Sequence, residues 1–512
     1  MLSDLRTRLQ LGRQSPAAGA PPRIAILGAG VAGLCMAIRL KLAGIESFTI
    51  FEKSDGVGGT WRDNTYPGAS CDVPSHLYSY SFAPKSDWTR VFAEQPEILA
   101  YLEGCADRFG LRPHLRARTA VTEARWDDDT AEWQLTTDAG DRVDVDVLVS
   151  GLGQLNVPFY PDIDGIDSFE GMTFHSARWN HDVDLTGKRV AVIGNGASAI
   201  QFIPRIAEQA AHLDVYQRSA NWVVPKPDAA YPDKMKTLFA RWPVIRRAHR
   251  AQIWGLLEMR WPMFHDGSKK AHAMEKVALT HLEKQISDPA LRARVTPDYP
   301  IGCKRVLISN DYYPSLVRDD VALITSSIDR IVADGVVTTD GVHHPADVII
   351  YGTGFQTTNF LAPVEITGRD GQSLHERWAK GAEAYLGVAV DGFPSLFLLY
   401  GPNTNLGHNS VMFMMESQVG YVMRAITAMQ RDGLTAFDVR PQAMSEYNRG
   451  VQAAVHETVW EAGCRSWYKT SSGKVTNNWP KTTAAYWYKM RTTGLGAFNR
   501  RAARRPAAHA AR

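Results

Sequence analysis

RIAILGAGVAGLCMAIRLKLAGIESFTIFE, residues 23–52, decides the fold. RIAILG is a short apolar, β-branched run ending in glycine, the pattern of a buried parallel strand. GAGVAG opens a helix, AGLCMAIRLKLAG, that closes on Gly44, and SFTIFEK is a second strand. Together they make one complete βαβ unit. In Gly28-x-Gly30-x-x-Gly33 the glycines allow a tight turn and let the backbone approach a pyrophosphate. The helix N-terminus faces the phosphates, and Glu52, nineteen residues beyond Gly33, is placed to bond a ribose hydroxyl. A lone glycine pattern is weak. Strand, helix, second strand and acid in register make a chance turn a poor explanation.

A second unit follows the same plan. KRVAVIGNGASAIQFIPRIAEQ, 188–209, leads to the strand HLDVYQR. Its loop is Gly194, Asn195, Gly196, Ala197, Ser198 and Ala199. Where an NAD site calls for an acid there stands Arg218, whose guanidinium suits the 2′-phosphate of NADP; Ser219 follows it. The expected fold class is α/β: two dinucleotide-binding (Rossmann-like) domains with an inserted helical subdomain. The first domain is discontinuous, 22–155 and 384–495. The second is 156–383, with the helical insert at about 225–300. Residues 122–153 read as a β-meander with turns at DDD and DAG.

Bulk properties exclude several classes. The net charge is +3, and five arginines lie in the last thirteen residues, which hold no acid. Removing them turns the balance slightly negative, so no nucleic-acid surface is expected. The tails, 1–21 and 497–512, are expected to be disordered. The five cysteines are odd in number and none forms C-x-x-C. That speaks against a disulfide framework, a metal site or a dithiol redox pair, and for a reducing cytoplasm. No leader-like apolar segment or membrane-length run is seen. The stretch 235–264 mixes arginine with Trp, Leu and Phe. It suits a membrane-surface helix or a cover shaping a substrate entrance, and the cover is the preferred reading.

Two further stretches carry chemistry. GGTWRDNTYPGASCD, 58–72, follows the Glu52 strand. Gly58 and Gly59 let the chain pass close to a ring system, Trp61 and Tyr66 offer flat walls, and Asp72 ends the run. FEGMTFHSARWN, 169–180, places Phe169, Gly171, His175 and Trp179 just ahead of the second glycine loop, with a partly helical spacing but poor helix formers.

With these motifs the chain resembles the type I Baeyer–Villiger monooxygenases, flavoproteins with two dinucleotide sites, over about 23–490. The family fingerprint is F-x-G-x-x-x-H-x-x-x-W followed by Pro or Asp. Phe169, Gly171, His175 and Trp179 fit it, and Asn180 departs at the last position. The resemblance implies FAD at the first glycine loop, Glu52, Gly59, Thr60, Trp61, Asp72 and Gln154. It implies NADPH at the second loop, Arg218, Ser219 and Lys304, with Trp467 closing over it. Arg305 and Asp72 match the family's catalytic arginine and its carboxylate partner, beside the cofactors. The implied reaction uses NADPH and O2 to form a flavin C4a-peroxide, which places oxygen beside a ketone carbonyl to give an ester or lactone. The loop 401–410 is expected near the flavin ring, with no residue assigned. His175 is expected to tie the domain junction. A monooxygenase restricted to sulfides or amines is the alternative, and a non-turnover redox sensor a remote one.

Overall fold

The computed structural model describes residues 21–361, 364–464 and 466–502. Strand Ile24–Leu27 is buried at all four positions and lies at the centre of a five-stranded parallel sheet. On one side it pairs with Phe48–Phe51, and that strand with Leu115–Arg116. On the other side lie Val147–Ser150 and then Leu396–Leu398. The strand order therefore reverses at Ile24–Leu27, and a crevice opens beyond the carboxyl ends of the strands. Helix Val31–Leu42 leaves this point and packs so close to the strand that position 33 has no room for a side chain. A Cβ on Gly33 would lie 1.9 Å from the Gly28 carbonyl oxygen.

The second parallel sheet runs Val321–Ile324, His212–Tyr216, Arg189–Ile193, Val348–Tyr351, Met172–His175. It too reverses order, beside Arg189–Ile193, so a second crevice faces the loop 194–198. The third motif position here is Ala199, which opens helix Ala199–Ile206.

Two expectations are corrected. The meander keeps only Val121–Asp127, Glu132–Thr137 and Arg142–Val145 and gains Glu365–Thr367, whereas Val147–Ser150 joins the parallel sheet. Its four residues are all buried, as a strand covered on both faces requires. The stretch around Gly171, whose residues are poor helix formers, contains the edge strand Met172–His175, followed by the short 3-10 turn Ser176–Arg178. Residues 498–502 are not tail. Phe498–Ala502 pairs antiparallel with Leu434–Val439, and the buried Phe498 anchors it on Val439. Residues 1–20 and 503–512, the rest of the expected tails, lie outside the described residues.

The insert is helical, with Asp233–Arg241, Pro243–Glu258, Lys269–Gln285 and Pro289–Val295. Ile253 and Leu257 pack on Leu77 over the first domain. Helix Val411–Asp432, ended by the left-handed Gly433, contacts helix Val31–Leu42 and completes the core beneath the first crevice. No helix among the described residues is long and apolar enough to cross a membrane.

Candidate active site

The first crevice opens into a cavity of about 340 Å³. Gly28, Gly30, Glu52, Gly59, Thr60, Trp61, Asp72 and Gln154 line it, joined from the second domain by Ala197, Ser198 and Arg305. Gly33 lies beneath this wall, against Gly28. Gly30 and Gly59 meet across the opening, where a Cβ on Gly59 would come within 2.8 Å of the Gly30 α-carbon. Two bare backbones in contact form a cradle suited to the pyrophosphate of FAD. Glu52 accepts the backbone N–H groups of Ala29 (2.7 Å) and Ser54 (2.8 Å). The carboxylate thus fixes the glycine turn as well as facing the cavity. Trp61 donates its indole N–H to the Tyr78 hydroxyl at 3.0 Å. Gln154 donates to the Tyr400 carbonyl and accepts from Asn477.

Arg305 and Asp72 are 233 residues apart in the chain, yet the guanidinium donates to Asp72 Oδ2 at 2.9 Å. Gln201, on the helix after the second glycine loop, donates to the other carboxylate oxygen at 3.3 Å and accepts from the Tyr66 hydroxyl at 3.0 Å. Asp72, in the first domain, is therefore held by two side chains of the second. Burial opposes charge on Arg305, but the Asp72 carboxylate, with Tyr468 and Tyr400 facing it, outweighs burial and raises the guanidinium pKa above its ordinary value. The side chain keeps 35% of its surface accessible, enough to meet a ligand. It is a fixed cation that does not titrate in the working range.

At the second crevice, Asn195 donates to Gln217 (2.8 Å) and to the Ser219 carbonyl (3.0 Å), which ties the loop to the end of strand His212–Tyr216. Lys304 donates to the Ser219 hydroxyl at 2.8 Å and lies over the Tyr299 ring. Burial, then the neighbouring Arg218, lowers the Lys304 pKa. Two cations that repel one another favour a dianion between them, as a 2′-phosphate is. Gly194 turns at φ +110. A Cβ on Gly196 would meet nothing within 4 Å, so the space in front of this loop is open. The donor set and the open approach fit NADPH. Gly194, Asn195, Gly196, Arg218, Ser219, Lys304 and Trp467 do not line the first cavity; Ala197 and Ser198 bridge the two sites.

His175 is fully buried and its Nδ1 accepts from the Ala177 N–H at 3.0 Å. Burial lowers its pKa to about 4, so it is neutral at neutral pH and carries no charge to a ligand. It packs against Phe355, which lines the flavin cavity. Gly171 is required because a Cβ would lie 2.5 Å from the Phe169 ring and 2.6 Å from the Asp347 carbonyl oxygen. Trp179 stands against Phe174 and Phe202.

The cysteine reading needs correction. Cys303 and Cys464 form a disulfide across 161 residues. Sequence spacing carries no sign of it, because the tertiary structure alone brings the two loops together. The bond joins the Lys304–Arg305 loop to the segment that carries Trp467. Cys35, Cys71 and Cys105 are free and buried, and burial pushes the Cys71 thiol up to about 12. Replacing both Cys303 and Cys464 by serine is expected to cost ~2–4 kcal/mol of stability. A lower unfolding midpoint that dithiothreitol does not lower further is the expected result. An unchanged midpoint would mean that the bond adds nothing to the fold.

The loop 401–410 supplies Asn405, Leu406 and Asn409 to the cavity wall. Tyr400 before it adopts φ +62 and hydrogen-bonds Asn405 through its hydroxyl. His408 is buried between Trp261 and Phe264, its Nε2 3.5 Å from Glu258. Glu258 also receives Asn409, Thr483 and the Ala484 N–H. Burial alone would raise its pKa, but these donors outweigh burial and hold it at about 2. Glu258 lies in the insert, where sequence spacing has little meaning, so nothing pointed to it. No group of three or more metal-ligating side chains occurs among the described residues.

Two opposed dinucleotide crevices that share a wall containing a fixed cation define a flavoprotein oxidoreductase with two nucleotide cofactors. A family model for flavin-binding monooxygenase-like proteins matches residues 21–258. The chain is 45% identical to a Baeyer–Villiger monooxygenase of Pseudomonas aeruginosa, over 92% of this chain and 89% of that one. It is 43% identical to a Baeyer–Villiger monooxygenase of Streptomyces coelicolor, over 93% and 92%. Among solved structures, an oxidized steroid monooxygenase bound to NADP superposes with a TM-score of 0.85 at 34% identity, over 94% of this chain and 100% of that one. A complex of OTEMO with FAD and NADP gives a TM-score of 0.85 at 30% identity, over 95% and 100%. The chain belongs to the Baeyer–Villiger monooxygenases. As a member it is an FAD-containing, NADPH-dependent oxidoreductase.

Proposed function

We propose that this chain inserts one oxygen atom of O2 beside the carbonyl of a small-molecule ketone, with Arg305 as the catalytic cation. The observation that carries this reading is the Arg305–Asp72 pair in the wall of the flavin cavity. FAD, when bound, supplies the two-electron chemistry that activates O2 after hydride arrives from NADPH. The chain's own groups do the rest. Arg305 stabilises negative charge that develops on oxygen at the reacting centre, in a site where the field of a fixed guanidinium is little screened. Asp72 keeps that guanidinium aimed and charged. Gly30 and Gly59 leave room for the FAD pyrophosphate, and Glu52 bonds its ribose. Lys304, Arg218 and Ser219 hold the 2′-phosphate of NADPH. Trp467, tethered near Lys304 through Cys464, closes over the nucleotide and limits water. His175 joins the second domain to the flavin wall through Phe355 and sets how the domains meet.

A ketone panel of cyclic, aryl, long-chain and steroid members, with NADPH and air, tests the reaction. Product mass spectrometry is expected to find an ester or lactone one oxygen heavier than at least one ketone. Oxidation of a thioether with no ester from any ketone would instead place the chain with enzymes restricted to sulfides or amines.

A further inference from the structure

Helix Pro243–Glu258 has two different faces. Its inner face holds Ile253 and Leu257 against Leu77, and Arg250 donates to the carbonyls of His76 (2.6 Å) and Ser79 (2.9 Å). That face is a cover over the first domain. The outer face is neither covered nor polar. Trp242 is 50% exposed, Val244 67%, Ile245 37%, Leu256 53% and Met259 60%. Five of the fourteen exposed large apolar side chains among the described residues thus fall within 242–259. Residues 244, 248, 251, 255 and 259 make one helical row and 245, 252 and 256 the next. Ala248 and Ala251 are also exposed; Gln252 interrupts the stripe with a polar side chain, and His249, in the same row, is turned onto the Tyr231 hydroxyl. Such density sets this surface apart from scattered single exposures, which need no explanation.

The charges around the stripe are mainly basic. Lys234, Arg241, Arg247 and Arg260 surround it, while the two acids in 233–260 are Asp233, paired with Lys236 at 3.2 Å, and Glu258. Glu258 is turned inward, where Asn409, Thr483 and Ala484 donate to it. Burial and the adjacent Arg247 hold the Arg246 guanidinium below its ordinary pKa, with no acid among the groups that shift it. Burial alone lowers Arg260. No carboxylate faces Arg246 or Arg260.

We propose that the outer face of helix Pro243–Glu258 docks on an anionic lipid bilayer, with the helix lying in the plane of the interface. Val244, Ile245, Leu256 and Met259 would enter the acyl boundary, Trp242 would sit at headgroup level, and Arg241 and Arg247 would meet lipid phosphates. The association is peripheral, since no described helix can span a bilayer. Charge argues against a second copy as the occupant. A two-fold pairing of this face would bring its basic rim, Arg241, Arg247 and Arg260, against the same basic rim of the other copy. A mostly aliphatic stripe with the one aromatic ring of Trp242 likewise lacks the row of stacking platforms that nucleic acid needs.

The test is flotation of the purified holoenzyme with vesicles of phosphatidylcholine alone and of phosphatidylcholine mixed with phosphatidylglycerol. Binding is expected to the mixed vesicles and to fall with added salt. Arg241→Glu with Arg247→Glu is expected to weaken it roughly thirtyfold or more. Leu256→Gln with Met259→Gln, which keeps every charge, is expected to weaken it as well. Both variants change exposed side chains outside the cavity and are expected to retain FAD and the parental rate of flavin reduction in solution. No flotation with the mixed vesicles overturns the proposal. So does binding that neither variant weakens, or a sedimentation coefficient showing a dimer that Leu256→Gln with Met259→Gln dissociates.

Discussion

Replacing Arg305 with alanine is expected to leave flavin reduction by NADPH largely intact and to lower ester formation by at least about 10²–10³-fold, the usual effect of removing a group that stabilises charge at the reacting centre. The two activities separate because the hydride step needs the nucleotides in place, whereas the oxygen step needs a cation where charge develops. Lys304 still donates to the Ser219 hydroxyl in this variant, so the site proposed for the second nucleotide is kept. Consumption of NADPH should therefore continue, with its electrons appearing as hydrogen peroxide. Anaerobic stopped-flow reduction and product mass spectrometry measure the two steps independently. Arg305→Lys is expected to rescue little, because a point charge on a flexible stem does not reproduce the guanidinium hydrogen-bonded to Asp72. The alanine change also leaves Asp72, with 16% of its side-chain surface accessible, without its ion partner. Asp72→Asn with Arg305→Met removes that unpaired charge and should show the same loss of product. Ester formation retained in Arg305→Ala would end the role assigned here.

Gly33→Ala is expected to yield protein almost without FAD. The added methyl carbon would lie 1.9 Å from the Gly28 carbonyl oxygen and 3.0 Å from its carbon. Neither is the tip of a flexible side chain, so helix Val31–Leu42 must move away from strand Ile24–Leu27. That displacement costs ~1–3 kcal/mol or more and spoils the cradle made by Gly30 and Gly59. The ratio of flavin to protein absorbance reads the effect directly. Gly196→Ala provides the contrast. Its methyl meets no protein atom within 4 Å, so the fold and the FAD content should survive. The methyl instead occupies the space through which NADPH approaches, and KM for NADPH should rise. Equal FAD content in Gly33→Ala and the parent would show that the strand and helix separate without cost.

Much of this was legible before any coordinates. The parallel strands before each glycine loop are contiguous apolar runs, and a glycine turn, a helix and a following strand must come in sequence to form a crevice. The first such unit could be read whole, down to Glu52. The second yielded its loop and the basic residue that follows it. Local pattern failed where pairing partners are remote. Val147–Ser150 looks like the last strand of a meander until its burial on both faces places it beside Ile24–Leu27. Phe498–Ala502 looks like part of a basic tail, because its arginines hide the single buried phenylalanine that anchors the strand. The fingerprint around Gly171 has a helix-like spacing, but its glycine is there to let Phe169 and the Asp347 carbonyl come close.

The sequence by itself determined the class of fold, the two nucleotide loops and the types of residue proposed for the chemistry. These are properties of short contiguous segments, where periodicity and backbone freedom decide the outcome. Only the tertiary structure decided that Arg305 meets Asp72, that Cys303 meets Cys464, and that Glu258 grips the loop beside the cavity. It also decided which face of helix Pro243–Glu258 is left bare. Each of these depends on how loops far apart in the chain close on one another, and the packing of the domains selects that closure from many arrangements that local sequence allows equally.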